Sequence, residues 1–410
     1  MSQRTLIAEE STADRTVFAI LVALSFCHFL NDMMQSLLAA IYPMLKKDYA
    51  LSFGQIGILT MAFQLTASIL QPLVGLYTDK RPLPYALFAG MSSTLLGLLL
   101  LSVATAYLSL LVGAALIGFG SAIFHPDASR VARMASGGRH GLAQSLFQVG
   151  GNFGAAFGPL IAAFIVLPRG QSSLGWFTFA ALLAMVILWQ VGGWYKCNYV
   201  TTKARLAKTN STALSVTSKQ VIVTLCILGI LIFSKFVYTV SLSSYYTFYV
   251  MHKFHISVQD AQIHLFIFLA SVATGTLIGG SISDRFGRKW VIWVSILGVL
   301  PFTLALPYAN LDWTIVLIIL IGLILASAFS SIIVYGQELI PGRIGMVSGM
   351  FFGFAFGISG LSAAGLGELA DLKGIDFVFS ICSYLPALGL LAAFLPNTDE
   401  LRAKTNPSPA

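Results

Sequence analysis

Twelve long apolar runs constrain this chain more than any other feature. A helix that crosses a hydrocarbon core of about 30 Å needs about 20 residues. The runs fall at 17–45, 54–78, 83–105, 107–134, 140–167, 173–196, 220–250, 257–283, 289–309, 312–339, 343–370 and 377–395. All twelve are expected to be helices, because a backbone without water has to satisfy its own hydrogen bonds, and the runs are too long for tilted barrel strands. Composition agrees, with 57% of residues apolar, 10% charged and a mean hydropathy of +0.84. No soluble domain of this size could bury that much apolar surface.

Orientation follows from Lys and Arg, which stay on the cytoplasmic side of short loops. With both termini inside, Lys46, Lys47, Arg169, Lys253 and Lys373 fall in outer loops and Lys235 inside a helix, so 24 minus those six leaves 18 on the inner side. The net charge of +8 is thus explained by topology. It calls for an anionic lipid leaflet and no nucleic-acid partner. The polar start of the chain lacks the short apolar core and cleavage site of a signal peptide. Cys27, Cys197, Cys226 and Cys382 show no metal spacing and read as small apolar packers.

The chain also repeats itself. Gly280-Ser-Ile-Ser-Asp284-Arg285-Phe286-Gly287-Arg288-Lys289 has a degraded copy at Gly75-Leu-Tyr-Thr-Asp79-Lys80-Arg81, 205 positions earlier. At an offset of 204, Gly138-Arg139-His140-Gly141 falls on Gly342-Arg343-Ile344-Gly345. The expected division is a cytoplasmic segment over 1–16, a six-helix bundle over 17–196, a cytoplasmic linker over 197–219, a second six-helix bundle over 220–395 and a cytoplasmic tail over 396–410. Parallel repeats of this kind place a substrate site near the bilayer midplane, between halves that rock around it.

The glycine, Asp284 and the basic residues after it, their relic at Gly75 and Asp79, and the twelve spans resemble the major facilitator superfamily. More narrowly, His28-Phe-Leu-Asn31-Asp32-Met-Met-Gln35-Ser36, Phe124-His125-Pro126-Asp127-Ala-Ser-Arg130 with Arg133 and Arg139, and Ser234-Lys235 with Ser243-Ser244-Tyr245-Tyr246 resemble the fosmidomycin resistance proteins, bacterial inner-membrane exporters. The resemblance implies two six-helix bundles related by a pseudo-two-fold and an inside latch built on Gly280, Asp284 and Arg288. Asp284 can pair with a basic group or with a helix N-terminus, whose dipole favours an anion. Pro82 and Pro84 replace the later part of the pattern in the first half, which puts a latch at Gly75 and Asp79 in question.

Charged groups deep in a membrane helix cost about 2.5–3.5 kcal/mol each on the lenient scale and mark functional sites by default. On the first helix Ser25, His28, Asp32 and Gln35 or Ser36 recur at spacings of three and four, one polar stripe. Lys235 maps by the repeat onto Leu30, so Asp32 and Lys235 are expected to face one cavity, as a working pair or as a static bridge. Gln144, Gln148 and Asn152 line one face of the fifth helix, beside a glycine run that either packs on a neighbour or bends the helix. His125 is expected near midplane, as a capped structural residue or as a proton acceptor that titrates near neutral pH. Glu338 and Arg343 are candidates for a second latch. His252, His255 and His264 make no metal site, and no phosphate-binding Gly-Lys-Ser/Thr loop is present for an ATP motor.

These residues point to a transporter rather than an enzyme, acting as a monomer in the bacterial inner membrane, with no cofactor and no metal. The resemblance implies a proton-coupled antiporter that exports small anionic antibiotics such as fosmidomycin. Asp32 and His125 are the proton-coupling candidates, and Asn31, Arg130, Gln148, Asn152, Lys235 and Tyr246 the substrate-binding ones. Gly75, Asp79, Gly280, Asp284, Arg288, Glu338 and Arg343 are assigned to gating. A symporter importing a small organic or inorganic anion fits the same helices.

Overall fold

A computed structural model describes residues 16–51, 53–210, 218–256, 258–340 and 342–397. Each apolar run is a helix: α1 (Phe18–Ala40), α2 (Phe53–Lys80), α3 (Ala86–Val103), α4 (Tyr107–Ala135), α5 (His140–Ile161), α6 (Thr178–Asn210), α7 (Ser218–Phe254), α8 (Val258–Phe286), α9 (Arg288–Leu297), α10 (Leu311–Leu339), α11 (Ile344–Lys373) and α12 (Ile375–Cys382). A second helical piece, Leu300–Ala305, carries α9 onward, and a 3-10 segment, Leu385–Phe394, does the same for α12. Pro301 explains the first break, since its ring displaces the carbonyl four residues back and it has no N–H to donate.

The linker differs from expectation. Helix α6 runs on to Asn210 and α7 opens at Ser218, so most of the span predicted as linker is helical. Ala204, Leu206 and Ala207 are good helix formers, and a helix that has left the membrane needs no apolar face to continue. Residues 211–217, and the tail beyond 397, lie outside the described residues.

Among the described residues, ten of the helical spans are long and apolar enough to cross a membrane by themselves. The two that fall short, α2 and α5, meet the opposite half of the chain: α2 packs on α11, and α5 on α8. Their polar side chains therefore spare lipid contact. Within the first half α5 also packs along α1, and its glycines make that approach possible. A Cβ at Gly151 would stand 2.5 Å from the His28 ring and 2.7 Å from an Asp32 carboxylate oxygen, while Gly150, Gly154 and Gly158 abut Ser25, Phe29 and Ser36. The glycine run of α5 is a packing surface against the polar stripe of α1.

Candidate functional site

Between the halves lies a cavity of about 120 Å³, lined by His28, Asp32, His125, Gln148, Asn152 and Lys235 among others. Helix α1 presents His28 and Asp32 one turn apart, and α4 brings His125 against both. The Nε2 atom of His28 is 3.2 Å from Oδ2 of Asp32, and Nε2 of His125 is 3.6 Å from Oδ1. The two Nε2 atoms stand 3.2 Å from each other. Each imidazole is oriented from behind: Nδ1 of His28 donates to the Phe147 carbonyl at 2.7 Å, and Nδ1 of His125 to the Ser121 carbonyl at 3.0 Å. Carbonyl oxygens only accept, so both Nδ1 atoms carry the proton and both Nε2 atoms turn toward Asp32. Asn31 in turn donates to Oδ1 of Asp32 at 3.0 Å.

Lys235 enters the same cavity from α7. Its Nζ lies 4.7 Å and 5.3 Å from the ring centroids of Phe236 and Phe329, and no carboxylate among the described residues lies within salt-bridge distance. The expected cavity is shared with Asp32, but the static bridge is not made. The two histidines stand against the carboxylate, and aromatic faces lie beside the Lys235 amine. Asn152 spans the halves, donating to the Thr276 hydroxyl on α8 at 3.0 Å. Gln148 Oε1 and the Ser330 hydroxyl, both buried, line the cavity without a hydrogen-bond partner among the described residues.

Three predicted substrate contacts lie elsewhere. Arg130 sits five residues beyond His125, about 7.5 Å farther along α4 by helical rise. Its guanidinium is occupied by Asp127, Asp79, the Thr78 hydroxyl and the Gly75 carbonyl. Tyr246 is eleven residues past Lys235, about 16 Å along α7, and is buried in an apolar cluster with Tyr238, Leu242 and Tyr249. Asn31 is fully buried behind Asp32, where it orients the carboxylate rather than facing the cavity.

At the end of the bundle that carries the α2–α3 and α8–α9 connections, two matching contacts close the seam. Asp284 accepts the backbone N–H groups of Gly141 and Leu142, both at 2.9 Å, from the N-terminus of α5. Asp79 accepts those of Gly345 and Met346, at 3.0 and 2.8 Å, from the N-terminus of α11. Each carboxylate meets two unpaired helix donors where the dipole is positive. The prolines that interrupt the first copy of the motif leave the Asp79 contact intact. Gly280 and Gly75 permit the approach, since a Cβ on either would run into the backbone of the facing helix.

Arg288 joins Asp284 at 2.9 Å and Glu338 at 3.5 Å. The expected pairing of Glu338 with Arg343 is not formed, because Glu338 turns inward to Arg288 while Arg343 is exposed at the start of α11. Cys197 and Cys226 are exposed too, so only Cys27 and Cys382 are buried packers. His252 pairs with Asp376 at 3.3 Å on the exposed surface. A larger cavity of about 240 Å³ between α8, α9 and α10 is lined almost wholly by apolar side chains and lacks the converging polar groups of a selective site.

Sequence reading had His28 in the stripe but missed its meeting with His125, 97 residues away. Helical spacing states which residues share a face, not which face of another helix it meets. The sequence, read at His252, His255, His264 and the cysteines, predicts no metal constellation. The fold instead brings ligand atoms of His28, Asp32 and His125 within 4.8 Å of one another.

A duplicated bundle of membrane helices, latched at one end and enclosing a polar cavity at its seam, defines a transporter. The chain belongs to the Major Facilitator Superfamily, whose family model matches residues 24–364. It is 57% identical over 390 residues to the fosmidomycin resistance protein of Escherichia coli, covering 95% of this chain and 96% of that one. It is 43% identical over 388 residues to the uncharacterized MFS-type transporter YfnC of Bacillus subtilis, covering 94% and 95%. Among solved structures, the superfamily transporter FucP in the outward conformation superposes with a TM-score of 0.71 at 17% identity, over 94% of this chain and 100% of that one. The human organic anion transporter MFSD10 gives 0.72 at 15%, over 93% and 100%. These two share the fold.

Proposed function

We propose that this chain is a proton-coupled antiporter that exports small anionic antibiotics such as fosmidomycin across the bacterial inner membrane, with both termini cytoplasmic. The observation that carries the reading is Lys235, a buried ammonium in the seam cavity with no carboxylate partner among the described residues. A lysine in that setting, when protonated, calls for a mobile anion. The long match to a fosmidomycin resistance protein supports the choice of cargo. Gln148, Asn152 and Ser330 supply neutral donors and acceptors around it, and a lysine meets a phosphonate as a point charge.

Asp32 and His125 are the proton-coupling groups of this reading, and Gly75, Asp79, Gly280, Asp284 and Arg288 form its inner gate. Glu338 strengthens that gate through Arg288. Outward movement of one negative charge and inward movement of one proton each run with a negative interior, by about 2.3 kcal/mol per 100 mV. Fosmidomycin flux into and out of proteoliposomes, with and without an imposed pH gradient, tests the proposal. Export must accelerate when the outside is acidic, and loss of the gene must raise drug sensitivity. Flux indifferent to the gradient refutes antiport, and gradient-driven uptake favours the importer.

A further inference from the structure

The centre of the cavity holds three side chains whose acceptor atoms face one another. With Nδ1–H of both histidines committed to carbonyls, each imidazole in its neutral form offers a lone pair at Nε2, and the Asp32 carboxylate has only lone pairs to add. The two Nε2 atoms are 3.2 Å apart, Oδ2 of Asp32 is 3.2 Å from Nε2 of His28, and Oδ1 is 3.6 Å from Nε2 of His125. Acceptors at such spacing repel unless something positive, a proton or a metal ion, sits among them. Tetrahedral zinc, with ligand distances of about 2.0–2.1 Å, requires neighbouring ligand atoms about 3.3–3.4 Å apart. The Nε2–Nε2 edge and the edge from His28 Nε2 to Asp32 Oδ2, both 3.2 Å, come close to that value, and one ligand atom from each of the three residues lies within 4.8 Å of the others.

The surroundings match a metal centre as well as the edges do. Ligating histidines characteristically donate their second ring N–H to a carbonyl or carboxylate, and ligating carboxylates are themselves hydrogen-bonded. Here Phe147 and Ser121 receive the ring N–H groups, and Asn31 donates to Asp32. The histidines are buried while Asp32 stays partly open, with 18% of its side chain exposed. All three line the cavity that holds Lys235. Gln148, 8% exposed, contributes an Oε1 without a hydrogen-bond partner among the described residues to the same space.

We propose that His28, Asp32 and His125 form the three-ligand face of a divalent transition-metal site whose fourth position opens on the cavity, where an oxygen of the anionic cargo completes it. This rests on the reading above that the cavity is the transport site. Imidazole and carboxylate donors suit zinc, cobalt and nickel rather than calcium or magnesium. Charge favours a ternary complex: one carboxylate against a divalent ion leaves one positive charge, Lys235 adds a second, and a doubly ionised phosphonate neutralises both. Metal and protons draw on the same lone pairs, so the site holds one or the other.

The test uses purified full-length protein without an affinity tag, freed of metal, with Cys197 and Cys226 replaced by serine. Calorimetric titration with zinc is expected to give one site per chain, and cobalt(II) to give the intense visible bands of four-coordination, which shift when methylphosphonate is added. Asp32→Asn and His125→Asn should each weaken zinc by at least about 100-fold, beyond the 10–100-fold typical of losing an outer-shell partner. Gly151→Ala keeps all three ligands but sets a methyl against His28 and Asp32, and should abolish binding while the protein still elutes as a folded monomer. No zinc binding, or zinc binding that survives all three changes, overturns the inference. Antibiotic flux in proteoliposomes is read separately. Flux without metal binding sinks the metal site alone, and metal binding without flux sinks the transport reading alone.

Discussion

A single methyl group at Gly141 should open the latched end. A Cβ there would stand 2.5 Å from the Gly280 carbonyl oxygen, against 3.4 Å for ordinary contact, so α5 and α8 have to part by 0.9 Å, the difference of the two. The obstacle is backbone, which cannot rotate away. Overpacking of this kind costs about 1–3 kcal/mol, and the cost falls only on the state in which the two helices touch. The ratio of open to closed ends should therefore rise by a factor of about 5–150. Spin labels at Arg139→Cys and Arg285→Cys, both exposed at that end, read the separation directly once Cys197 and Cys226 are replaced. Gly141→Ala is expected to add a longer distance to the distribution. Gly229→Ala, with open space around its Cβ, should leave it unchanged. A folded Gly141→Ala protein with the parent's distances would refute the idea that close backbone contact holds this end shut.

Lys235→Met should give opposite answers in two assays. Removing a buried cation that has only aromatic faces for company should stabilise the empty carrier to heat, by about 1 kcal/mol or more, while loss of the charge facing the cargo weakens anion binding by about 2–5 kcal/mol. A Lys235→Met protein that melts earlier and still binds anion contradicts the assignment. Asp79→Asn should open the latched end more than Asp284→Asn, measured by the same spin labels. Asp79 receives two hydrogen bonds from Arg130 besides its two backbone donors, whereas Asp284 adds an ion pair with Arg288 at 2.9 Å. Equal shifts would mean that the helix-dipole contacts alone do the holding. In proteoliposomes, Asp32→Asn should lose gradient-driven export, and export at the parent rate would remove Asp32 from coupling.

What the amino-acid order revealed follows a physical line. Long apolar runs announce helices because lipid offers the backbone no other partner, so twelve helices could be read directly. Depth was legible too: the repeat set Lys235 level with Leu30, and the cavity does hold Lys235 with Asp32. Rotation about the helix axis was not. Asp32 and Lys235 line the same space without touching, because His28 and His125 reach the carboxylate first and Phe236 and Phe329 cover the ammonium. Arg130 shares a helix with His125, yet two acidic neighbours one turn and one helix away claim it. Such competition among side chains appears only when helices from distant parts of the chain are packed together.

The duplication itself is uneven in an informative way. At the ends it is faithful: Asp79 on α11 and Asp284 on α5 make the same pair of backbone contacts, at residues 204 or 205 apart. At the centre it fails, because the positions 205 beyond His28, Asp32 and His125 are Phe233, Val237 and Ser330, while the position 205 before Lys235 is Leu30. Latches must be matched if two halves are to rock without tearing one seam before the other. A binding centre gains from the opposite arrangement. Acceptors on one wall and a lone cation on the other let an anion and a positive ion be held at once, each by the half that offers the complementary charge. Closure around such a pair needs no covalent change, only that the cargo cancel the charge which otherwise faces the seam.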